Sequence, residues 1–224
     1  MKSANDTRTR LTGVPLGKAR IQSLSDAVFG VAMTLVILQV QARVPGVSGD
    51  AAHSELLARI GEMWPAFLGF VATFLLGGAY WYLQHLTFHF IRHTNHVLIW
   101  LNLVFLLFVG VLPLSSTMLS RFPTEPVAHF FYFGNLLALG LMLNWHWYYA
   151  VRHYMVDPEM DVEVTHRVST WLRIVPSACA LALPLSIIRT DLSFYAFLWV
   201  LLLEPLIERW TRPRKSGRAP APKA

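Results

Sequence analysis

Six stretches of this chain are apolar enough and long enough to cross a lipid bilayer as helices. They lie at about 25–41, 64–84, 97–119, 128–150, 170–188 and 192–208. A hydrocarbon core about 30 Å thick needs roughly 20 helical residues, and a span must satisfy its own backbone hydrogen bonds. Of the 224 residues, 54% are hydrophobic and 14% are charged, which is far from the roughly 25% charged of soluble domains. The sequence therefore predicts an all-α integral membrane protein, a six-transmembrane-helix bundle.

The spans divide the chain into three parts: a basic leader at 1–19, a membrane domain at 20–210 and a basic tail at 211–224. No small-residue cleavage site precedes the first span, so we expect a retained helix and not a signal peptide. The tail is rich in Pro, Lys and Arg and poor in apolar residues, a composition typical of disorder. We expect both flanking segments to be cytoplasmic.

That orientation follows from the basic residues near the ends of the spans. With a cytoplasmic N-terminus, all 19 Lys and Arg residues lie on the inner side except Arg43, Arg59, Arg121 and Arg189. The positive-inside rule therefore predicts a multi-pass plasma-membrane protein with both termini cytoplasmic. The net charge of +6 is then explained by topology and by contact with anionic membrane lipid. No nucleic acid partner is needed to explain it.

Polar side chains inside these spans are candidates for function, because a charge at mid-bilayer costs about 2.5 to 3.5 kcal/mol. Asp26 lies about one turn into the first span, close to Arg20 and Ser25, and Asn102 lies deep in the third. Each has a structural alternative. Asp26 would fix helix ends at the inner mouth, and Asn102 would form an interhelical hydrogen bond.

Histidines suggest a different class of protein. The segment HLTFHFIRHTNH places His85, His89, His93 and His96 four, four and three residues apart. On a continuous helix they form one stripe, and neutral imidazoles spaced in this way can bind a metal. Membrane di-iron enzymes also carry adjacent His-His pairs, and this sequence has none. We therefore expect these histidines to belong to interfacial hydrogen-bond networks. A metal-dependent membrane enzyme is the alternative.

Enzyme motifs are otherwise missing from the sequence. It contains no G-x-S-x-G, no P-loop and no G-x-G-x-x-G, so we expect neither an enzyme nor a bound cofactor. The longest inner loop gathers acidic residues at 157–163. We expect these to be solvated and paired with nearby arginines, and a vestibule that collects cations is the alternative.

The first span carries a stripe with pore-like character. At helical spacing it reads Ala27, Val31, Thr34 with Leu35, Leu38 and Gln41. Repeated around an axis, branched apolar side chains form rings that gate by dewetting, and a threonine ring offers oxygens to a cation. Ordinary packing in a non-conducting bundle or transporter is the alternative, with Thr34 bonded to its own backbone.

A family resemblance favours the pore. The segment RIQSLSDAVFGVAMTLVIL resembles the signature that opens the transmembrane protein 175 family of potassium channels, R-x-x-x-F-S-D-G-V-F-A-I-x-x-T-L-L. PAFLGFVATFLLGGAYWYLQH is similar to that family's second span, which ends in W-x-x-x-H, here Trp81 and His85. LNLVFLLFVGVLPL is similar to its third, with Asn102 and Pro113. The likeness covers roughly the first half of the chain.

The resemblance implies a channel without a re-entrant selectivity-filter loop, and the chain has no T-V-G-Y-G. Members of the prokaryotic kind carry one six-span unit and form homotetramers, with potassium as the permeant ion. The resemblance assigns the pore constriction to Val31, Leu35 and Leu38, and ion contact to Thr34. It assigns a structural signature network to Arg20, Ser25, Asp26, Trp81, His85 and Asn102.

Three positions depart from the family pattern. Leu24 replaces the signature phenylalanine, and Ala27 replaces the usual glycine. Both changes fall at the inner mouth and affect packing there. Val31 is smaller than isoleucine, which predicts a wider first ring.

Overall fold

The computed structural model describes residues 17–41 and 53–188, and most of these are helical. The helices are α1 Lys18–Leu35, α2 Leu38–Gln41, α3 His53–Phe90, α4 His96–Arg121, α5 Pro126–Arg152 and α6 Val162–Ile188. Five described segments are long and apolar enough to cross a membrane, α1 and α2 together making one of them. The predicted all-α membrane class is confirmed for this part of the chain. The sixth predicted span, 192–208, lies outside the described residues.

Hydropathy places some span boundaries better than others. The predicted spans 97–119 and 128–150 match α4 and α5 to within one or two residues at each end. By contrast, α1 begins seven residues before the predicted start at 25, and α6 begins eight residues before 170. The first turns of these two helices are polar. Helices extend beyond the apolar region that a hydropathy count detects, into the headgroup zone of the bilayer.

A short turn interrupts the first span, whereas the predicted stripe assumes continuous helical spacing through residue 41. Val36 and Ile37 form a turn between α1 and α2. There the Ile37 amide donates to the Thr34 carbonyl over 3.4 Å and the Val40 amide to the Ile37 carbonyl over 2.9 Å. These bonds span three residues instead of four, which tightens the backbone as in a 3₁₀ turn. The span still reaches Gln41.

The start of α4 shows why the predicted histidine stripe does not form. Asn95 caps this helix, its Oδ1 accepting from the Leu98 amide over 2.9 Å. Residues 91–95 are therefore not helical. His85 and His89 lie on α3, His93 lies in the loop and His96 begins α4. Among the residues that the structure describes, no group of three or more His, Cys, Asp or Glu could hold a metal ion.

Two loops at one end of the bundle are joined to each other. Ile91 and Val156 form an isolated antiparallel bridge, and the Asp157 amide donates to the Phe90 carbonyl over 3.0 Å. The Arg92 guanidinium pairs with the Asp157 carboxylate at 2.5 Å, and its hydrogen bond holds the pKa of Asp157 below the ordinary value. One acidic side chain of this loop, Asp157, thus pairs with an arginine, as expected for the group.

The core lies along α4, α5 and α6, which are joined in sequence by short loops, and α5 packs extensively on both α4 and α6. Phe105, Leu136, Leu139 and Leu172 are fully buried there. The first span packs on this core from one side, chiefly against α4 and also against α3. The apolar residues that remain exposed face outward from the bundle, as expected for a surface in contact with lipid.

Helices α5 and α6 approach closely at Gly140. A Cβ atom built at this glycine would lie 2.2 Å from Pro176 Cγ, well inside van der Waals contact. Beside it, Asn144 Nδ2 donates to the Gly140 carbonyl over 2.8 Å and to the Leu172 carbonyl over 2.6 Å. Small residues at such crossings let membrane helices pack by direct backbone contact.

We therefore expect Gly140→Ala to destabilise the subunit by about 1 to 3 kcal/mol, the usual cost of overpacking. The measurement is the thermal unfolding midpoint of the purified protein in detergent. Gly134→Ala is the matched control, because it lies on the same helix and a Cβ there meets nothing within 4 Å. Equal midpoints for the two variants would contradict the close approach at Pro176.

Candidate functional site

The first helix presents one face to its own subunit. Ile21, Ser25, Phe29 and Ala32 of α1 are buried, with Val36 directly after them. The Phe29 ring packs on the Phe105 ring of α4, with their centroids 5.8 Å apart. These positions are spaced three or four residues apart, so they make one helical face. The packing of this face fixes which side of α1 is turned away from the bundle.

The predicted constriction residues lie on the side turned away. Val31 is 59% exposed, Leu35 42% and Leu38 47%, and Ala27 and Thr34 are exposed with them. None of these side chains is buried by the described part of its own subunit. The stripe is therefore available to line a surface between several copies of the chain.

A buried polar network, the Ser25 network, joins the N-terminal half of α1 to two other helices. Ser25 Oγ accepts from Gln84 Nε2 of α3 over 2.9 Å and from Asn102 Nδ2 of α4 over 3.2 Å. Gln84 Nε2 also lies 3.2 Å from Asn102 Oδ1. All three residues are at most 2% exposed. Because the bilayer offers no water as an alternative partner, this network holds α1 in one rotational position.

Sequence reasoning did not single out Gln84, although it bridges Ser25 and Asn102. The signal was present: an amide side chain near the end of an otherwise apolar span, three residues after Trp81. A polar residue in that position usually faces the bundle interior. Spacing alone, however, does not say which helix it will contact.

The exposed members of the signature network form a second group. Trp81 Nε1 donates to Asp26 Oδ1 over 2.8 Å, and the Trp81 ring stacks on His85 with centroids 5.8 Å apart. Asp26 and His85 are both exposed, as is Arg20. Within the described residues, the Arg20 guanidinium makes no hydrogen bond or ion pair, so the structure leaves it outside both groups.

The Thr34 hydroxyl is hydrogen-bonded to the backbone of its own helix. Thr34 Oγ1 lies 2.8 Å from the Val31 carbonyl and 3.0 Å from the Gly30 carbonyl, and its single proton bonds to this part of the helix backbone. A threonine in an exposed helical position commonly bonds in this way. The hydroxyl oxygen can still accept a contact, and Thr34 lies on the same exposed face as the constriction residues.

The C-terminal end of the first span is held by another buried network, which the sequence did not indicate. The Gln39 amide of α2 is hydrogen-bonded to the Ser116 hydroxyl of α4. Thr73 Oγ1 of α3 lies 3.2 Å from Ser116 Oγ and 2.9 Å from the Tyr132 hydroxyl of α5. The first span is therefore attached by polar contacts at both ends, on either side of the exposed stripe.

Comparisons with known proteins identify the family of the chain. The family described as endosomal/lysosomal potassium channel TMEM175 matches residues 20–113, which carry both the exposed stripe and the Ser25 network. A potassium channel of Streptomyces collinus is 30% identical over 147 residues, covering 63% of this chain and 69% of the relative. The chain belongs to the TMEM175 family. The resemblance of its first three spans to that family is thereby confirmed.

Other TMEM175 proteins show the extent of the match. The endosomal/lysosomal proton channel TMEM175 of Bos taurus is 34% identical over 115 residues, but this chain spans only 24% of its length. A crystal structure of a TMEM175 homologue from Chamaesiphon minutus, described as a lysosomal potassium-selective channel, superposes with a TM-score of 0.67 at 24% identity. That superposition covers 87% of this chain and 98% of the homologue, and it supports the fold.

The Ser25 network gives a direct test of what holds α1. Ser25→Ala removes the acceptor shared by two buried amides, and leaving buried donors unsatisfied costs about 1 to 3 kcal/mol. We expect a lower thermal midpoint in detergent. Ser23→Ala is the matched control, because Ser23 is exposed and, among the described residues, its hydroxyl bonds only to the Ala19 carbonyl of its own helix. An equal response from the two variants would mean that the network does not anchor the helix.

Proposed function

We propose that this chain is one subunit of a homotetrameric, potassium-permeable cation channel. Its central pore would be lined by α1 of each of four subunits, and conduction would be passive. Membership of the TMEM175 family supports this function. The observation that carries it is the rotational position of α1, whose buried networks leave the predicted constriction on the unpacked side.

In such a tetramer the exposed stripe becomes a stack of rings. Val31 and Leu35 are four residues apart on α1, which separates their rings by about 6 Å along the helix axis, and the ring of Leu38 follows after the turn at 36–37. Branched apolar rings at this spacing would form a narrow hydrophobic constriction. A ring of Thr34 hydroxyls would lie between the first two, with lone pairs available to a partly dehydrated cation.

The remaining features of the proposal concern the rest of the chain. We propose a channel domain over 20–210 with a sixth span at 192–208, no re-entrant filter loop, and cytoplasmic flanks at 1–19 and 211–224. The protein would lie in the plasma membrane with both termini cytoplasmic. Its partners would be membrane lipid and permeant potassium ions, with neither a cofactor nor nucleic acid required. The surplus of basic residues on the inner side supports the orientation.

Of the two alternatives that the sequence left open, the enzyme is removed and the non-conducting bundle or transporter remains to be tested. Family membership confirms that the chain is not an enzyme, and the interrupted histidine stripe removes the feature that suggested a metal site. A non-conducting bundle or transporter would use the same helices without a central pore. A substitution that changes conduction without changing stability separates it from the channel.

We expect Leu35→Ala to increase potassium flux through the protein in liposomes by about tenfold, because a smaller side chain widens the constriction and weakens dewetting. Ile37→Ala is the matched control. Ile37 is 41% exposed against 42% for Leu35, but it lies away from the stripe. A pore predicts altered flux in the first variant only, at an unchanged unfolding midpoint. Unchanged flux in both would contradict the constriction.

The role of Thr34 is tested by ion selectivity. Thr34→Val keeps the shape of the side chain and removes the hydroxyl oxygen, so we expect the permeability ratio of potassium to sodium to fall toward one. Thr34→Ser keeps the oxygen and should retain most of the ratio. Bi-ionic reversal potentials in planar bilayers measure both. If Thr34→Val preserves the wild-type ratio, the hydroxyl serves only the helix backbone.

A further inference from the structure

A cavity of about 490 Å³ lies between α5 and α6, outside the proposed pore helix and its networks. Aromatic residues Trp145, Trp147 and Tyr148 of α5 line one side, and Ser169 and Arg173 of α6 line the other. No acidic side chain is among its described lining residues. The cavity is therefore amphipathic, with one positive charge and nothing in the described lining to neutralise it.

The polar groups of the cavity divide into satisfied and unsatisfied ones. Trp147 Nε1 donates to Ser169 Oγ over 2.9 Å, and Ser169 Oγ donates to the Thr165 carbonyl over 2.8 Å. This pair closes the wall between the helices. Trp145, Tyr148 and Arg173 are exposed, and within residues 17–41 and 53–188 their side chains have no hydrogen-bond or ion-pair partner. Three donors of one cavity are thus left for a ligand.

The depth of the cavity corresponds to the headgroup region of the bilayer. Tyr148 lies four residues, or about 6 Å, before the end of α5 at Arg152. Arg173 is the last charged residue of α6, because 174–188 contains none. Tyr and Trp concentrate at this level of membrane proteins, and arginine there extends its guanidinium toward lipid phosphates. The described acidic loop, 157–161, continues directly from this end of the bundle.

We propose that this cavity binds the headgroup of an anionic phospholipid. The Arg173 guanidinium pairs with the phosphate, and the Tyr148 hydroxyl and the Trp145 indole N–H donate to its oxygens or to the headgroup alcohol. Guanidinium groups bind phosphate through directed, charge-assisted hydrogen bonds, and basic pockets between membrane helices bind anionic headgroups. The aromatic rings cover the glycerol region. This site is independent of pore conduction.

Native mass spectrometry of the purified full chain tests the proposal, with palmitoyl-oleoyl phosphatidylglycerol as the probe. We expect one saturable lipid per subunit, and we expect Arg173→Gln to weaken binding by about tenfold through loss of a charge-assisted hydrogen bond. Arg167→Gln is the matched control, because it removes the same charge from α6 at a residue paired with Glu163. Its affinity should match wild type. Tyr148→Phe should weaken binding about threefold. This variant provides the test if Arg173→Gln does not fold.

Several results would overturn the proposal. Equal weakening by Arg173→Gln and Arg167→Gln would indicate general surface charge instead of a site. Equal binding of phosphatidylcholine would remove the requirement for an anionic headgroup. Displacement of the lipid by inorganic phosphate at equal concentration would indicate an anion site and not a lipid site. Absence of saturable binding by the wild type would mean that protein fills the cavity.

Discussion

Inside a bilayer no water is available to a buried hydrogen-bonding side chain, and two buried polar residues of the first span have their partners in other helices. Ser25 accepts from amides of α3 and α4, and Gln39 bonds to Ser116 at the opposite end. Single hydrogen bonds between membrane helices are worth only about 0.6 kcal/mol on average. Their effect here is directional, because turning α1 about its axis would leave several buried groups unsatisfied at once.

That directional constraint links the structure to the proposed pore. With Ser25 and Phe29 held against α4, the residues on the other side of α1 are exposed and include Val31 and Leu35. The turn at 36–37 lies between the two networks, so each end of the span has its own attachment. A pore helix needs this rigidity, because a constriction of apolar rings changes its radius when the helices rotate. Thr34 bonds within its own helix, so it does not contribute to the attachment of α1 to the other helices.

Helices α4, α5 and α6 serve as the support for the first span. Gly140 lets Pro176 approach closely, and Asn144 and Trp147 bond across the same crossing. Close packing of this kind resists deformation, so α4 offers α1 a fixed surface. Between α5 and α6, near the C-terminal end of α5, the packing leaves an amphipathic cavity.

The sequence by itself determined the membrane class, the positions of α4 and α5 and the family, because bilayer thickness imposes a length on every span and the first-half motifs keep a fixed order. Sequence also brought Ser25, Asp26, Trp81 and Asn102 to notice, since polar residues in apolar spans are conspicuous. Only the tertiary structure decided that Gln84 joins Ser25, 59 residues away, and that Asn95 ends the histidine stripe by capping α4. Hydropathy adds residues one at a time, whereas a hydrogen bond between helices depends on how both are rotated and packed.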